Sequence, residues 1–581
     1  MRLEDINNIE NFIILDNFNS ESNKQMLFIN PIDILFTTEL SELEEIFNKI
    51  DYYIKNNFFV VGYFTYEAGL KFLKKKFEFN KSKDLLCNFG IFKSYSEVKL
   101  FNSFEKVENR IQLEDFSINI NQDEYINSIN LLKEKIINGE LYQINYTFEL
   151  QFQLSNTLTD IYTNIRKNFR TNYSALLRLK NKEILSFSPE SFFYLKDRDL
   201  TVKPMKGTGI KQEISEIYSE KNRAENYMIV DLLRNDLGQI SVPGSVKIGN
   251  LLNKEIYGNI EQLTSEISSK LLTNISLSTI FHSIFPSGSI TGAPKEKAME
   301  WIEKFENRNR GIYTGSIGYF SPTGEVNFNV AIRTIEKEKN SLKMGVGSGI
   351  VYDSIPELEW EECHQKAFFL YKTFDFYLFE SILFKNNIFY YQNSHLERLK
   401  NSALLLFGHF EYLTLLNKLK SCITNENIKL KIKIIYYNDK TFEIQEFPLS
   451  SKVKNIQKIK ISDVKINSKN FLLQHKTSFR KIYDNEYSSI KLNFIDSIFS
   501  NEKNEITEGC ISNIFILKEN KYLTPPINCG LLPGILRNKL LIKFPKLFKE
   551  KIITIDDLKS ARKIFICNSV RGIIRVELYE N

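Results

Sequence analysis

The sequence is poor in the residues that mark metal-binding, disulfide-bonded and membrane proteins. Its 581 residues hold only five histidines and six cysteines, with no CxxC pair. No apolar run approaches the roughly 18 residues that a membrane span needs. The first residues, MRLEDINNIE, carry acids where a signal peptide has basic and then apolar residues. We therefore expect a cytoplasmic protein whose thiols are reduced and mostly packed in the core.

The chain also lacks a strong charge of either sign. A formal net charge of +6 is small for this length, and the lysines are interspersed with acids rather than gathered on one stripe. Nucleic-acid binding is therefore not favoured, whereas small acidic substrates remain compatible. With 43% hydrophobic and 25% charged residues the composition is that of an ordinary globular protein.

The length predicts more than one folded unit, because single cores stop growing at roughly 250–300 residues. A helical pattern at 356–374 is followed by a new alternating pattern near residue 375, and no Gly/Ser- or Pro-rich linker separates them. We place the boundary at about 371–376 and expect domains at 1–372 and 373–581.

Hydrophobic periodicity predicts the elements that carry the conspicuous motifs. The patterns favour three helices, two long strands and a pair of strands joined by an SPTGE turn. In chain order they are a helix at 121–138, a strand at 140–154, a helix at 217–238, the strand pair within 311–333, a glycine-rich strand at 343–351 and a helix at 356–374.

The stretch KPMKGTG (203–209) places two lysines beside an expected Gly-Thr-Gly turn. A phosphate-binding loop is excluded because neither GxGxxG nor GxxxxGK[ST] is matched. Lys203 has the opposite strand parity to Lys206 and should point to the other face. Lys206 is then either an ordinary solvated lysine or an amine held as a nucleophile.

Two carboxylates are expected to face inward from helices. Glu225 shares its helical stripe with Ile229 and Leu233, and Glu362 lies one turn before Lys366. Isolated buried carboxylates are costly, and a pair of them is commonly reconciled by a divalent cation. Ordinary ion pairs are the alternative.

Eight motifs together resemble the chorismate-utilising enzymes, in order and spacing, over about 120–370. They are SPESFF (188–193), KPMKGT (203–208), NRAENYMIVDLLRND (222–236), FPSGSITGAPKEKAME (285–300), YTGSIGYF (313–320), AIRT (331–334), GVGSGIVYDS (345–354) and EECHQKA (361–367). The resemblance implies an α+β fold in which a β-sandwich of two large sheets, like that of anthranilate synthase component I, is flanked by helices.

The same resemblance implies roles for residues at the matching positions. The implied ligands of Mg²⁺ are Glu225 and Glu362, and Glu190 is implied as the general acid or base on the departing hydroxyl, with a structural ion pair as its alternative. The groups implied to bind chorismate are Tyr313 and Arg333 at the enolpyruvyl carboxylate, and Gly347, Gly349 and Lys366 at the ring carboxylate.

Gln143 and Lys206 indicate a branch of the family. Members that add water carry a lysine base where this chain has Gln143, so ammonia is the favoured nucleophile. Anthranilate synthases typically carry alanine at the position of Lys206, whereas component I of aminodeoxychorismate synthases carries lysine. An amine on the protein could attack C2 first and then be displaced as ammonia enters at C4.

The second half resembles pyridoxal phosphate enzymes of fold type IV, and in particular 4-amino-4-deoxychorismate lyases. The motifs are HLERL (395–399), HKTSFR (475–480), TEGCISNIF (507–515), LLPGILR (531–537) and NSVRG (568–572). The resemblance implies a two-subdomain α/β domain in which Lys476 carries pyridoxal 5'-phosphate covalently and shuttles the proton. Other implied cofactor contacts are Glu508 at the pyridinium nitrogen, Arg398 at the phosphate, and Gly534, Ile535, Asn568 and Ser569 as further donors. His395 matches the first residue of the HxxR motif, and a structural role is its alternative.

Together the two resemblances imply a bifunctional enzyme that makes 4-aminobenzoate from chorismate and ammonia. No Cys-His-Glu amidotransferase unit is visible, so a separate glutaminase subunit should deliver the ammonia unless free ammonia suffices. A homodimer through the second domain is implied by analogy. Two alternatives stay open: an anthranilate synthase component I joined to an aminotransferase-like domain, and a second domain that is a non-catalytic docking module.

Overall fold

A computed structural model gives the fold of the chain. It describes residues 3–16, 18, 25–73, 84–99, 111–210, 220–257, 260–421, 429–449, 457–490 and 493–579. The chain divides into two compact units. The first comprises Met1–Glu114 and Gln122–Thr373, and the second comprises Asp115–Asn121 and Phe374–Asn581.

The strands between Phe12 and Ile350 are numbered in chain order. They are β1 (Phe12–Asp16), β2 (Gln25–Ile29), β3 (Asp33–Thr37), β4 (Phe59–Phe64), β5 (Cys87–Phe92), β6 (Ser96–Val98), β7 (Leu113–Ile118), β8 (Gln143–Leu154), β9 (Tyr173–Leu179), β10 (Lys182–Ser188), β11 (Ser191–Lys196), β12 (Asp199–Lys203), β13 (Met205–Ile210), β14 (Lys247–Ile248), β15 (Asn253–Tyr257), β16 (Ile260–Thr264), β17 (Ile267–Lys270), β18 (Gly292–Ala293), β19 (Ser316–Phe320), β20 (Val326–Asn329), β21 (Thr334–Glu338) and β22 (Ser341–Ile350).

Two large antiparallel sheets form a sandwich in the first unit. One runs β18-β8-β22-β21-β10-β9-β1-β2-β6, and the other runs β14-β17-β12-β11-β20-β19-β4-β5-β3. Buried side chains from both sheets make one apolar cluster, with Ile13 and Leu177 from the first sheet against Val61 and Ile317 from the second. Alternating apolar residues on facing strands dictate this packing, because each sheet must bury one face.

Helices surround the sandwich. They are α1 (Leu3–Ile6), α2 (Leu43–Lys55), α3 (Gln122–Ile137), α4 (Leu158–Asn168), α5 (Glu220–Gly238), α6 (Leu277–Ile284), α7 (Lys295–Glu306) and α8 (Pro356–Tyr371). Sequence signals fix their ends: Thr157 caps α4 by accepting from the Asp160 amide, and Pro356 occupies the first turn of α8. Gly139, with φ +75°, follows α3 in the left-handed region that favours glycine.

The second unit contains two sheets of different size. Its strands are β23 (Leu378–Lys385), β24 (Ile388–Phe389), β25 (Leu430–Tyr436), β26 (Phe442–Pro448), β27 (Gln457–Ile466), β28 (Asp496–Asn501), β29 (Ile506–Gly509), β30 (Asn513–Lys518), β31 (Lys521–Thr524), β32 (Phe548–Glu550), β33 (Lys563–Asn568) and β34 (Gly572–Leu578). The smaller sheet runs β24-β23-β25-β26, and the larger runs β29-β28-β27-β34-β33-β30-β31-β32 with parallel pairs at β27–β28, β27–β34 and β31–β32.

The helices of this unit flank those sheets. They are α9 (Gln392–Phe407), α10 (Tyr412–Ser421), α11 (Lys481–Ile490), α12 (Ile535–Lys543) and α13 (Ile555–Lys559). Isoleucines dominate the core of the larger sheet, among them Ile459, Ile498, Ile514 and Ile564, as expected for β-branched residues on buried strands.

The predicted α+β class is confirmed, and the predicted helices and strands agree closely with α3, α5, α8, β8 and β22. One element was wrong. AIRT was expected to continue a strand, but β20 ends at Asn329 and Arg333 has φ +51° immediately before β21. A residue whose backbone is in the left-handed region interrupts a strand, so this segment turns instead.

Burial of the cysteines agrees with the sequence expectation where it can be compared. Cys87, Cys363, Cys510, Cys529 and Cys567 are free and buried, and Cys422 lies outside the described residues. Of the helices in the described ranges, none combines the length and the apolarity that crossing a membrane requires.

Candidate active sites

Lys206 projects from β13, which belongs to a small three-stranded sheet rather than to either large one. Its Nζ donates to the backbone carbonyl of Ser289 at 3.0 Å. Burial lowers the pKa of this amine below the ordinary lysine value, and Glu225 is the strongest of the charges that oppose the shift. The solvated-lysine alternative is therefore not supported, and an amine biased toward its neutral form remains.

The expected Gly-Thr-Gly turn does not form. Gly207 and Gly209 lie inside β13, and the pairing with β16 shifts register between Lys206 and Thr208. Such an irregularity re-aims a side chain without ending the strand. Lys203 lies in β12 of a different sheet and pairs with Glu266 at 3.0 Å. It is outside the site as predicted, but the break at Pro204 rather than strand parity separates it from Lys206.

Ser289 connects Lys206 to Glu190. While its carbonyl accepts from Lys206 and from the Asn145 side chain at 3.0 Å, its hydroxyl donates to Glu190 Oε1 at 2.7 Å. Glu190 is buried, and burial raises its pKa to about 7 against the opposing effects of Ser289, Lys206 and Arg333. A carboxyl with this pKa can exchange a proton near neutral pH.

Sequence reasoning did not assign roles to Ser289 and Asn145. Ser289 lies in the GSITGAP stretch, which contributed to the family resemblance only as a motif. The structure places it in a short, buried 3₁₀ turn at Gly288–Ile290. The signal was therefore present in the sequence, but the convergence on one residue requires the fold.

Strands β8 and β22 bring Gln143 against the glycine-rich segment. A Cβ atom added to Gly349 would lie 2.6 Å from Gln143 Nε2 and 3.5 Å from Lys206 Nζ, so glycine is required for this close approach. Gln143 is fully buried, and neither polar atom of its side chain has a hydrogen-bond partner within the described residues. Buried amides are rarely left unpaired, which indicates that a ligand completes this site.

Gly347 and Lys366, both implied to lie at the ring carboxylate, contact each other. Lys366 on α8 donates to the Gly347 carbonyl at 2.9 Å and pairs with Glu362 at 2.7 Å. A Cβ on Gly347 would approach the Tyr146 carbonyl to 2.6 Å. This glycine therefore serves close packing of β22 on β8 as well as access to the site.

Arg333 and Tyr313 are both buried next to these groups. Arg333 contributes to the electrostatics of Glu190, and its guanidinium lies 4.7 Å from the centre of the Phe169 ring. Its positive φ is a strained conformation of the kind that clusters at functional sites. The Tyr313 ring occupies the space that a Cβ on Gly345 would fill, at 2.1 Å, a contact that sequence reasoning missed.

Glu225 and Glu362 both lie within electrostatic reach of Lys206. Within the described ranges, no group of three or more His, Cys, Asp or Glu side chains is arranged to hold a metal. Mg²⁺ nevertheless tends to keep several waters and to use only one or two protein carboxylates together with oxygens of its substrate. Glu225 and Glu362, two hard oxygen donors that both act on Lys206, therefore fit Mg²⁺.

The second unit contains a cleft of about 400 Å³ lined by Lys476. Lys476 lies between the 3₁₀ turn Phe471–Gln474 and helix α11. Burial lowers the pKa of its amine to about 7, and the positive charge of Arg398 adds to the shift. Its Nζ lies 4.9 Å from the centre of the Phe379 ring. The amine is thus available in its neutral form near neutral pH.

Glu508 lines the same cleft. Its two carboxylate oxygens accept from the Leu532 amide and the Asn513 side chain, each at 3.1 Å. Burial raises its pKa to about 7, although the Leu532 amide and the positive charges of Arg480 and Lys476 oppose the shift. A carboxyl held in this way can accept a hydrogen bond from a protonated ring nitrogen.

Arg398 is anchored by a buried carboxylate that sequence reasoning did not single out. Its Nε and Nη2 donate to the two oxygens of Glu380 at 2.8 Å, and its Nη1 donates to the Pro533 carbonyl at 2.9 Å. His395 Nδ1 contacts the same Glu380 at 2.7 Å, while its Nε2 has no partner in the described part of the chain. His395 and Glu380 therefore orient Arg398 at the cleft wall.

The remaining predicted cofactor residues lie around the cleft. Gly534 precedes α12, whose first residue is Ile535, and a Cβ on Gly534 would lie 1.8 Å from Asn513 Oδ1. The Asn568 side chain holds its own turn by accepting from the amides of Val570 and Arg571. Ser569 donates to the Ser381 carbonyl at 3.4 Å. This set of groups fits pyridoxal phosphate. It consists of a helix N-terminus, an arginine held in place by hydrogen bonds, a lysine with a lowered pKa and a buried glutamate.

Sequence comparison identifies the family of the first unit. Residues 14–372 match the chorismate binding enzymes, and residues 377–579 match the class IV amino-transferases. The first match covers more than half of the chain, so the chain belongs to the chorismate binding enzymes. The class IV fold implies pyridoxal phosphate as the cofactor of the second unit.

Two individual relatives show how similar the chain is to known enzymes and how much of their length it matches. Aminodeoxychorismate synthase component 1 of Bacillus subtilis (strain 168) is 34% identical over 45% of this chain and 57% of its own length. Anthranilate synthase component 1 of Saccharolobus solfataricus is 35% identical over 45% of this chain and 63% of its own length. The chain therefore spans less than two thirds of each of these relatives.

A solved structure supports the fold of the first unit. Anthranilate synthase component I from Streptococcus pneumoniae TIGR4 superposes with a TM-score of 0.50 at 22% identity, covering 61% of this chain and 89% of that one.

Proposed function

We propose that the chain makes 4-aminobenzoate in two steps, one in each unit. The first unit would aminate chorismate at C4 to give 4-amino-4-deoxychorismate and water. The second would convert that product into 4-aminobenzoate and pyruvate. The observation that carries the proposal is the position of Lys206, whose amine reaches the same Ser289 that holds Glu190.

Lys206 provides the chemical reason for amination at C4. Its neutral amine would attack C2 of the ring, both conjugated ring double bonds would shift by one position, and the C4–O bond would break. Glu190, with a pKa of about 7, would give its proton to the departing hydroxyl, which leaves as water. Ammonia would then attack C4, both double bonds would shift back, and the C2–N bond to Lys206 would break.

Gln143 supports ammonia rather than water as the second nucleophile. An amide side chain cannot act as the base that a water molecule would need, and both of its polar atoms remain available to a ligand within the described residues. Its position beside Gly349 and Lys206 would direct a small neutral molecule to the reacting ring.

Magnesium is proposed for the first unit. Glu225 and Glu362 would hold the ion, and it would supply positive charge for a carboxylate of the substrate. Arg333 and Tyr313 would hold the enolpyruvyl carboxylate, and Lys366, fixed on the Gly347 carbonyl, would stand at the ring carboxylate. Replacing Glu362 by glutamine should raise the magnesium concentration required for activity.

In the second unit, Lys476 would act as the base. It would remove the proton from C4 of 4-amino-4-deoxychorismate, the C3–O bond would break, and the leaving enolpyruvate would take up a proton to become pyruvate. Pyridoxal phosphate, when bound, supplies the electron sink for this elimination. Glu508 would face its ring nitrogen, and Arg398, Gly534, Ile535, Asn568 and Ser569 would surround its phosphate.

The ammonia would come from a second protein. The relatives named component 1 of aminodeoxychorismate synthase imply a second component, and a glutamine amidotransferase is the class that supplies ammonia from an amide. Free ammonium should replace it in vitro at high concentration.

Product analysis tests the proposal directly. Purified protein would be given chorismate, Mg²⁺ and ammonium, with and without pyridoxal phosphate. We expect 4-amino-4-deoxychorismate without the cofactor, and 4-aminobenzoate plus pyruvate with it. Anthranilate in place of the C4 product would instead show that the first unit is an anthranilate synthase. If the cofactor had no effect, the second unit would be a non-catalytic module.

A further inference from the structure

Three cations line one wall of the second cleft without serving any group described so far. They are Lys431, Lys433 and Arg571. Both lysines lie on β25, where Leu430, Ile432 and Ile434 are buried on the opposite face. The two-residue period of the strand therefore projects both ammonium groups from the same face, toward the cleft.

None of the three cations has an acidic partner among the described residues. Lys431 Nζ lies 4.3 Å from the centre of the Phe447 ring, and Arg571 Nη2 donates to the Tyr487 hydroxyl at 3.3 Å. Burial lowers the pKa of Lys431, and the positive charges of Lys433 and Arg571 lower it further. Three like charges held together without a counterion are a cost that an anionic ligand would remove.

The cluster is positioned relative to Lys476 by one aromatic ring. Lys433 Nζ lies 5.2 Å from the centre of Phe379, and Lys476 Nζ lies 4.9 Å from the same centre. Ser381, which pairs with Lys433 in the sheet, also lines the cleft. The two amines are therefore at most about 10 Å apart, a span that a six-membered ring with polar substituents can bridge.

We propose that Lys431, Lys433 and Arg571 form a carboxylate-binding subsite, which holds an anionic substituent of the substrate while its amino group is presented to Lys476. The subsite rests on the proposed lyase function only for the identity of that substrate. It favours a cyclic amine that carries a carboxylate at a distance from the nitrogen over a compact α-amino acid, whose single carboxylate lies next to its amino group.

A binding measurement on the protein saturated with pyridoxal phosphate tests the subsite. Isophthalate, a ring with two carboxylates, would be titrated while the visible absorption of the bound cofactor is followed. The Kd of the Lys431→Met/Lys433→Met variant should be higher than that of the wild type by roughly 10- to 100-fold, the loss expected for charge-assisted hydrogen bonds. The uncharged analogue benzamide should bind both proteins equally.

Two control variants and the ionic-strength dependence show whether a change in the isophthalate Kd comes from the charges of the subsite. Lys429→Met removes the same charge just before the strand, outside the cleft, and should leave the Kd unchanged; Lys433→Arg should keep most of the affinity. Rising ionic strength should weaken isophthalate binding to the wild type itself, so the test does not depend on the stability of a variant. An unchanged Kd in the double variant, or no response of the wild type to isophthalate, would overturn the proposal.

The outcome is distinguishable from failure of the proposed function. Lysine-dependent isophthalate binding without pyruvate release would leave the subsite intact and refute the lyase. Pyruvate release with a KM that is the same in wild type and double variant would do the reverse.

Discussion

The two units contain the same pair of buried side chains, a lysine and a glutamate, in different electrostatic surroundings. Each has a lysine whose pKa is lowered chiefly by burial, Lys206 and Lys476, and a buried glutamate whose pKa is raised to about 7, Glu190 and Glu508. Around Lys206 most neighbouring charges are carboxylates, whereas the strongest charge on Lys476 is the cation of Arg398.

This difference bears on how each unit would hold a substrate with two carboxylates. The first site places Glu190, Glu225 and Glu362 near Lys206, and on the proposed function a divalent cation would bring the anion there. The second places Lys431, Lys433 and Arg571 in its cleft, so it can bind an anion without a metal. Only the first activity should therefore depend on Mg²⁺.

The largest expected effect is at Lys206, whose replacement should abolish the first activity and leave the second unchanged. Lys206→Ala removes the proposed nucleophile, so formation of 4-amino-4-deoxychorismate should fall to the background of a chromatographic assay. Any amination that remains should occur at C2. Pyruvate release from supplied 4-amino-4-deoxychorismate should be unchanged because Lys476 is untouched. Wild-type output of the C4 product by this variant would disprove the covalent role.

Lys476→Ala should give the reciprocal result. Pyruvate release should be lost because Lys476 is the proposed base, and 4-amino-4-deoxychorismate should accumulate from chorismate and ammonium. The visible absorption of the bound cofactor should also disappear, which a spectrophotometer detects without turnover. Persistence of that absorption would show that a different lysine carries the cofactor.

A smaller loss is expected at Glu190. Glu190→Gln keeps the hydrogen bond from Ser289 but cannot deliver a proton, so kcat for the C4 product should fall by roughly 10²- to 10⁴-fold. Glu266→Gln, on the surface beside Lys203, is the matched control and should leave kcat unchanged. If both variants kept wild-type kcat, Glu190 would be a structural residue.

A pH profile tests the electrostatics of the second site. With a pKa of about 7, Lys476 should react with pyridoxal phosphate at a rate that rises about tenfold for each pH unit below 7 and levels off above it. A lysine with the ordinary value of 10.5 would instead keep accelerating to pH 10. Stopped-flow measurements of the apoprotein give this profile, and a continuous rise would contradict the burial-driven shift.

The sequence predicted most of the elements and residue types of both sites, but not their connections. Periodicity located α3, α5, α8, β8 and β22, and the motifs brought Lys206, Glu190 and Gln143 to one site. The role of Ser289 was not predictable, because it depends on a backbone carbonyl and a hydroxyl meeting groups 83 and 99 residues away.

The same limit applied to the second unit. The motifs identified Arg398 and Lys476, whereas Glu380 and the lysines of β25 lie outside them. Glu380 is singled out by its hydrogen bonds to Arg398, and the two lysines by the lack of an acidic partner among the described residues; neither is encoded in local sequence. Local patterns report the face of an element; long-range contacts determine which faces meet.

The smallest expected effect concerns Lys203, three residues from Lys206. Lys203 and its partner Glu266 are each 44% exposed, and ion pairs of this kind contribute less than about 1 kcal/mol to the free energy of unfolding. Lys203→Met should therefore change the denaturant midpoint little and leave both products at wild-type levels. A large loss of C4 amination in Lys203→Met would mean that positive charge near β13, rather than the placement of one amine by Ser289, controls the reaction, and the contrast between the two lysines would fail.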